Sequence, residues 1–249
     1  SGFIWSGAEA TWDSVTKDVN GNPLKDNAIC NYTVTLYKDG TEVTSKEVVG
    51  SDESSQSCDF ANLINSLEDG AGKYTFSVTA TVPDGYAEYY TESAESAQST
   101  DTLYAVEVTL EKKNGIASAS VASGTDRPFL LIAGDNRYNS KSIVAAAESG
   151  WEFGKWSVKG ESESGIGISF DSKSASSTKL SIDSNYEGDT NITVYANAKE
   201  SKAPVISEYV CGTEYNEGKL VATVQDDQSG LLAYAFSETA SSENISQSE

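Results

Sequence analysis

The segment 150–160, GWEFGKWSVKG, places two tryptophans and one phenylalanine within six positions. Exposed aromatic rings stack on sugars or bases, whereas buried rings supply much of the core of a small β domain. In one extended strand Trp151 and Phe153 would share a face, and Trp156 would lie on the opposite face. A bulge at Gly154 would turn Trp156 back toward the core. We therefore predict that these rings are core residues, with a binding platform as the alternative.

Three tyrosines close together in the chain are the second group of candidate contacts. Tyr86, Tyr89 and Tyr90 lie in the stretch DGYAEYYT. A tyrosine ring joins an apolar face to a polar hydroxyl, so an exposed tyrosine is suited to contact a sugar. If the chain binds a glycan, we expect these three residues to be possible ligand contacts.

The composition excludes the commonest kinds of active site and partner. The chain has 249 residues and no histidine, which removes the usual general base and the Ser-His-Asp and Cys-His arrangements. Its formal net charge of −21 would repel phosphate groups, so we expect no nucleic-acid partner. No apolar run approaches the roughly 18 residues of a membrane helix, so we expect no direct membrane insertion of this segment. We predict a protein that is not an enzyme and has no cofactor.

Three acidic clusters are the candidates for metal ligands. They are SDES at 51–54, ESES at 161–164 and the aspartate pair at 226–227. Calcium takes several oxygen ligands, but none of these clusters follows the D-x-D-x-D-G-x5-E spacing. We interpret them as solvated surface charge and predict no metal site. A hydrolase with a carboxylate pair is the remaining alternative, because such a pair needs a pocket that a sequence does not reveal.

Alternation of apolar and polar residues predicts β-strands through most of the chain. In NYTVTLYKDGTEV an alternating run precedes Asp39-Gly40, a pair that favours a two-residue hairpin turn. Pairing outward from this turn would set Leu36 opposite Val43. A second hairpin is predicted around Asn114-Gly115, with Leu110 opposite Ala119 and Val108 opposite Val121.

Residues 3–100 resemble a bacterial fibronectin type III module. The resemblance rests on core positions, which are Trp12, then Tyr32, Val34 and Leu36 before YKDG, then Phe60 and Leu63 before KYTFSVTA. It implies a β-sandwich that ends with a strand from Tyr89 to about Gln98. These positions carry no chemistry, and only a short segment, Phe3 to Ser6, stands where the first strand of the family belongs.

Two further units follow in the chain. Residues 104–198 resemble internalin-type B-repeat modules, because Gly150, Trp151, Phe153 and Trp156 match a GYxFxxW-like pattern with tryptophan in place of tyrosine. From Lys202 the runs PVISEYV, KLVATVQDD and SGLLAYAF resemble the first half of a bacterial immunoglobulin-like domain.

These resemblances predict an all-β fold of tandem β-sandwich modules, fibronectin-like or immunoglobulin-like, with antiparallel sheets. The predicted units are a fibronectin type III-like module at 1–102, a B-repeat-like module at 103–200, and a partial immunoglobulin-like module with a polar C-terminal tail at 201–249. An immunoglobulin-like sandwich needs about seven strands. We therefore expect the third unit, which has three strand signals, to be incomplete.

The cysteines do not fit a zinc site, because 27 and 152 residues separate them and the chain has no histidine. Cys30 has the parity of Tyr32, and Cys58 that of Phe60, so both should point into the core. In a fibronectin-like topology both also begin strands at one end of the sandwich. The resemblance thus implies a Cys30–Cys58 disulfide, with two buried thiols as the alternative. Cys211 has no visible partner.

The resemblances also set our expectation for function. They imply a non-catalytic extracellular module array at a bacterial cell surface, which acts in adhesion or as a spacer. The expected partner is a host or cell-wall glycan or protein, and the expected state is a monomer. The alternative is a carbohydrate-binding accessory segment of a larger surface enzyme.

Overall fold

The computed structural model describes residues 2–82, 85–124, 128–160, 167–201, 205–211 and 220–225. The protein is all-β, as predicted, and its only α-helix in these ranges has six residues. Within the same ranges, no helix has the length and apolar character that a membrane span requires.

The first module packs two sheets against each other. One sheet has the order β1-β2-β5, and the other contains β4-β3-β6. The strands are β1 (Ile4–Ser6), β2 (Glu9–Asp13), β3 (Asn31–Lys38), β4 (Thr41–Val48), β5 (Ser55–Asp59) and β6 (Gly72–Thr81), with helix α1 (Ala61–Ser66) between β5 and β6 and a 3-10 turn at Lys25–Asn27. The predicted inward residues form one buried cluster: Trp12, Tyr32, Val34, Leu36, Phe60, Phe76 and Val78.

The β3–β4 hairpin has the predicted turn but not the predicted register. Asp39 and Gly40 both have positive φ, at 50° and 82°. A bulge on β4 then shifts the pairing, so that Leu36 lies opposite Thr44 and not opposite Val43. The extra residue, Val43, packs against the core beside the strand pair.

The predicted strand from Tyr89 to Gln98 is wrong, because this stretch forms no regular ladder. Residues 91–101, which we call the serine strap, instead run along the edge of β6. Three serines each donate a backbone N–H to a β6 carbonyl and accept the N–H of the same β6 residue on the side-chain oxygen, in the pairs Ser93 with Ala80, Ser96 with Val78 and Ser99 with Phe76. The serines recur every third residue, so they bond to β6 without the two-residue alternation of a strand.

The second module also has two facing sheets. One has the order β12-β13-β10-β8, and the other contains β11, β14, β7 and β9. The strands are β7 (Leu103–Lys112), β8 (Ile116–Val121), β9 (Phe129–Ile132), β10 (Ser140–Ala147), β11 (Trp151–Val158), β12 (Ile168–Phe170), β13 (Ser177–Ile182) and β14 (Asn191–Glu200). The sheets are mostly antiparallel, but β14 and β7 are parallel.

The predicted pairing of β7 with β8 is wrong. Val108 lies opposite Phe129 of β9 and Ile192 of β14, while Val121 lies opposite Ile143 of β10. Both edges of β7 are therefore occupied by distant strands, and the turn at Asn114-Gly115 connects two different sheets. Leu110 and Ala119 are separated in the same way.

Strand β7 joins the two modules directly. Its residues Leu103–Ala105 pair with Gly72–Tyr74 of β6, and its later residues pair within the second module. Leu103, Ala105 and Ile132 are buried in the first core, although β7 and β9 belong to the second module. The two cores are thus separate clusters that meet at a shared strand, with no intervening linker.

A hairpin follows the second module. Strands β15 (Val205–Cys211) and β16 (Leu220–Gln225) are antiparallel, with Cys211 opposite Leu220. The third predicted strand of this unit, SGLLAYAF, lies outside the described residues.

Candidate functional site at the distal end of the first module

Phe153 and Trp156 of the aromatic segment belong to the second core, as predicted, whereas Trp151 is only partly buried and is not part of that cluster. The register between β11 and β14 shifts between Phe153 and Lys155, which is the bulge expected at Gly154. Trp156 is fully buried, and its indole N–H donates to the Ala175 carbonyl at 2.9 Å. A binding platform that uses Trp156 is therefore excluded.

The three tyrosines lie together at the end of the first module that is farthest from β7, which we call the distal end. The Tyr86 ring centroid is 6.4 Å from that of Tyr89 and 6.5 Å from that of Tyr90. The Tyr90 hydroxyl accepts the backbone N–H of Lys25 at 2.7 Å, and its ring packs against the core. Tyr89 is 50% exposed, and Lys25 Nζ lies 3.5 Å from its ring centroid. Only Tyr89 therefore offers much ring surface to a ligand.

Two adjoining pockets open at the distal end, and the larger one lies beside the tyrosine rings. Tyr89 and Tyr90 line the larger one, of about 610 Å³, together with Val15, Asp18 and Glu92. A neighbouring pocket of about 200 Å³ lies between the segments 14–30 and 51–53. Val15, Leu24 and Cys30 line both pockets. The distal end therefore has concave surface as well as one exposed ring, that of Tyr89.

Sequence reasoning missed the aliphatic surface around these pockets. Among the described residues, six large apolar side chains are exposed, and five of them lie in the segments that form the distal end. These five form what we call the distal patch: Val15 at 37% exposed, Val19 at 99%, Ile29 at 45%, Val49 at 82% and Tyr89 at 50%. Each of the four aliphatic residues lies outside an alternating run, so no pattern in the sequence indicated that they meet.

Hydrogen bonds hold the loops of the distal end against the sandwich. The Asp18 carboxylate accepts the backbone N–H groups of Asn20 and Asn22 at 2.9 and 2.8 Å. These bonds, chiefly those from Asn22, lower the pKa of Asp18. The Tyr32 hydroxyl, whose pKa is raised by burial, accepts the N–H of Val15 at 2.9 Å. The loop that carries Val15 and Val19 is thus tied to the core.

Charged side chains surround the distal patch, and most of them are acidic. Where the structure describes the surrounding loops, their acidic residues are Asp18, Asp26, Asp52, Glu53, Glu88 and Glu92, and their basic ones are Lys17 and Lys25. Because the acidic groups outnumber the basic ones, the described part of the rim is negative.

The predicted disulfide is wrong, because Cys30 and Cys58 are both free and buried. Cys30 directly precedes β3, whereas Cys58 lies in β5 opposite Ala10 and within electrostatic reach of Lys46. Lys46, which is the lysine near Cys58, lies opposite Val34, and Val34 is four positions after Cys30. The two cysteines therefore lie at different heights along the strands of the sandwich. Burial raises the pKa of both thiols. The side chain of Cys211 lies outside the described residues.

The acidic clusters have no geometry typical of a metal site where the structure describes them. Within the described ranges, no three Cys, Asp or Glu side chains are grouped closely enough to hold an ion. The side chains of 51–54 are exposed, while the clusters at 161–164 and 226–227 lie outside the described residues.

The opposite end of the first module, at the junction with the second, is held by charged groups. The Arg137 guanidinium donates two hydrogen bonds to Asp59, at 2.6 and 2.9 Å, and two to Asp135, at 2.9 and 3.2 Å. The guanidinium group lowers the pKa of Asp59. Burial of Asp135 opposes its ionisation, but its bonds to Arg137 outweigh this effect and lower its pKa. Tyr138 adds a bond to Asn62 at 2.7 Å.

No protein-family model, curated protein or solved structure matches this chain. The resemblances to fibronectin, B-repeat and immunoglobulin-like modules therefore stay predictions from motifs.

Proposed function

We propose that this chain is a non-catalytic extracellular module array of a bacterial surface protein, in which the first two modules form a stiff unit that serves in adhesion or as a spacer. The observation that carries the proposal is the shared strand β7, which hydrogen-bonds to β6 in one module and to β14 in the other. A strand with bonds on both sides of a junction resists bending, unlike the polar linkers that allow domains to move.

Side chains at the junction support the same proposal. Ile132 is fully buried and extends from β9 into the first core. The Arg137 guanidinium connects Asp59 of the first module to Asp135 of the second by four hydrogen bonds. At Gly7 an added Cβ would lie 2.9 Å from the Gly134 carbonyl oxygen, so the two backbones are in close contact. Apolar, ionic and backbone contacts thus restrict movement between the modules.

Rotational diffusion of the full chain tests the stiffness. Backbone 15N relaxation of amides in β3 and β14 should fit one diffusion tensor if the two modules tumble together. Separate tensors in the unmodified chain would overturn the stiff unit. Labelling of intact source cells with antibodies against the folded chain tests the proposed surface location.

A second candidate function is carbohydrate binding as an accessory segment of a larger surface enzyme. The specific observation in its favour is the pocket of about 610 Å³ that Tyr89 and Tyr90 line with several polar side chains. A glycan array with the full chain and with Tyr89→Ala tests it. Tyr195→Ala is the matched control, because Lys113 Nζ lies 3.6 Å from the Tyr195 ring centroid in the second module. A glycan that binds the wild type and Tyr195→Ala but not Tyr89→Ala would support this function.

A further inference from the structure

The distal patch differs chemically from a sugar-binding surface. Four of its five side chains are the aliphatic residues Val15, Val19, Ile29 and Val49. They have neither the flat ring that stacks on a sugar nor a polar atom that bonds to a hydroxyl. The fifth, Tyr89, already has Lys25 Nζ 3.5 Å from its ring centroid. Aliphatic surface of this kind matches the apolar side chains of another protein.

We propose that the distal patch docks a protein segment that presents aliphatic or aromatic side chains next to lysine or arginine. This inference rests on the proposed adhesive function and names the surface and the class of partner. Exposed apolar residues that gather in one place, inside a polar rim, are typical of protein interaction sites.

The charge of the rim specifies the partner further. Among the residues that the structure describes, six acidic and two basic side chains lie in the loops around the patch. A basic segment would gain favourable electrostatic interactions on approach, whereas an acidic one would be repelled. A second copy of this chain is a poor occupant for the same reason, because each copy has a formal net charge of −21.

The shape of the surface fits the insertion of side chains. The pockets of about 610 and 200 Å³ adjoin at Val15, Leu24 and Cys30, so two neighbouring side chains of one segment could enter them together. The bonds from Asn20, Asn22 and Val15 hold the surrounding loop in place before any partner arrives. A preformed surface loses less entropy when it binds.

The test uses the full chain, immobilised, and a random dodecapeptide library displayed on phage. The double variant Val19→Ser/Val49→Ser changes the two most exposed residues of the patch. Ile4→Ser is the matched control, because Ile4 is 53% exposed but lies outside the patch. We expect enriched peptides that combine apolar residues with Lys or Arg. Their affinity should fall about tenfold or more in the double variant, stay unchanged in Ile4→Ser, and weaken as salt is raised.

Other outcomes would overturn the proposal. The proposal is wrong if the enriched peptides bind the double variant as well as they bind the wild type, or if they lack basic residues. Concentration-dependent dimers in sedimentation that disappear in the double variant would overturn it, because a second copy would then be the occupant. A glycan whose binding requires Val19 and Val49 would also overturn it. In each case the relaxation experiment on the junction still decides separately whether the stiff unit exists.

Discussion

The two ends of the first module expose very different surfaces, although the same two sheets form both. At the junction end, apolar residues of the second module fill the space above the core, and Ile132 is 0% exposed. At the distal end nothing within the described residues covers Val19 or Val49, which are 99% and 82% exposed. The two ends of this sandwich are therefore not equally exposed. The distal end is an open surface, whereas the second module closes the junction end.

Replacement of an isoleucine by alanine should lower the free energy of unfolding by very different amounts at the two ends. Ile132→Ala removes a buried side chain at the closed end and should lower the free energy of unfolding by about 2–5 kcal/mol. Ile29→Ala at the open end should cost less than about 1 kcal/mol, because Ile29 is 45% exposed. Urea unfolding of the full chain measures both changes, and hydrogen exchange of amides 74–80 locates them. Similar costs for the two variants would show that the distal end is covered.

The serine strap extends between the two ends and allows a second matched comparison. Ser99, near the junction, is buried and accepts the Phe76 N–H, whereas Ser93, at the distal end, is exposed and accepts the Ala80 N–H. Ser99→Ala leaves the buried N–H of Phe76 without its acceptor and should lower the free energy of unfolding by about 1–3 kcal/mol. Ser93→Ala should cost less, because water can replace the lost bond. The opposite order, measured by thermal unfolding, would contradict the closed-versus-open distinction.

Local patterns in the sequence predicted the cores well. Two-residue alternation identified Tyr32, Val34 and Leu36 as buried, and the glycine within the aromatic segment identified the bulge that turns Trp156 inward. Both features depend only on neighbouring residues, which a sequence displays directly.

Features that depend on distant residues could not be predicted. The edges of β7 are taken by β9 and β14, so the hairpin expected with β8 does not form. Arg137 contacts Asp59 across 78 positions. The distal patch combines residues from three separate loops. The serine strap was missed for another reason, because its three-residue period is not the signature of a strand.

Acid should weaken the closed end specifically. The pKa values of Asp59 and Asp135 are lowered in the folded protein, so their bonds to Arg137 stabilise it above the unfolded pKa of about 4. That stabilisation is lost as the pH falls through the folded values. At pH values below about 4, the melting temperature should thus fall as the pH is lowered, and it should fall less steeply in Arg137→Gln than in the wild type. Parallel profiles for the two proteins would show that the ion pairs at the junction contribute nothing measurable.

The smallest expected effect is at the open end. Val19→Ser and Val49→Ser should each change the free energy of unfolding by less than about 0.5 kcal/mol, because both side chains remain largely exposed to water in the folded protein. Chemical denaturation of each single variant beside the wild type measures this. A loss well above that range would mean that the valines are covered in solution, by a second copy or by residues of the same chain. A dilution series separates these cases, because only a second copy makes the loss depend on concentration. Unchanged stability would show that the exposure of the two valines has no role in folding.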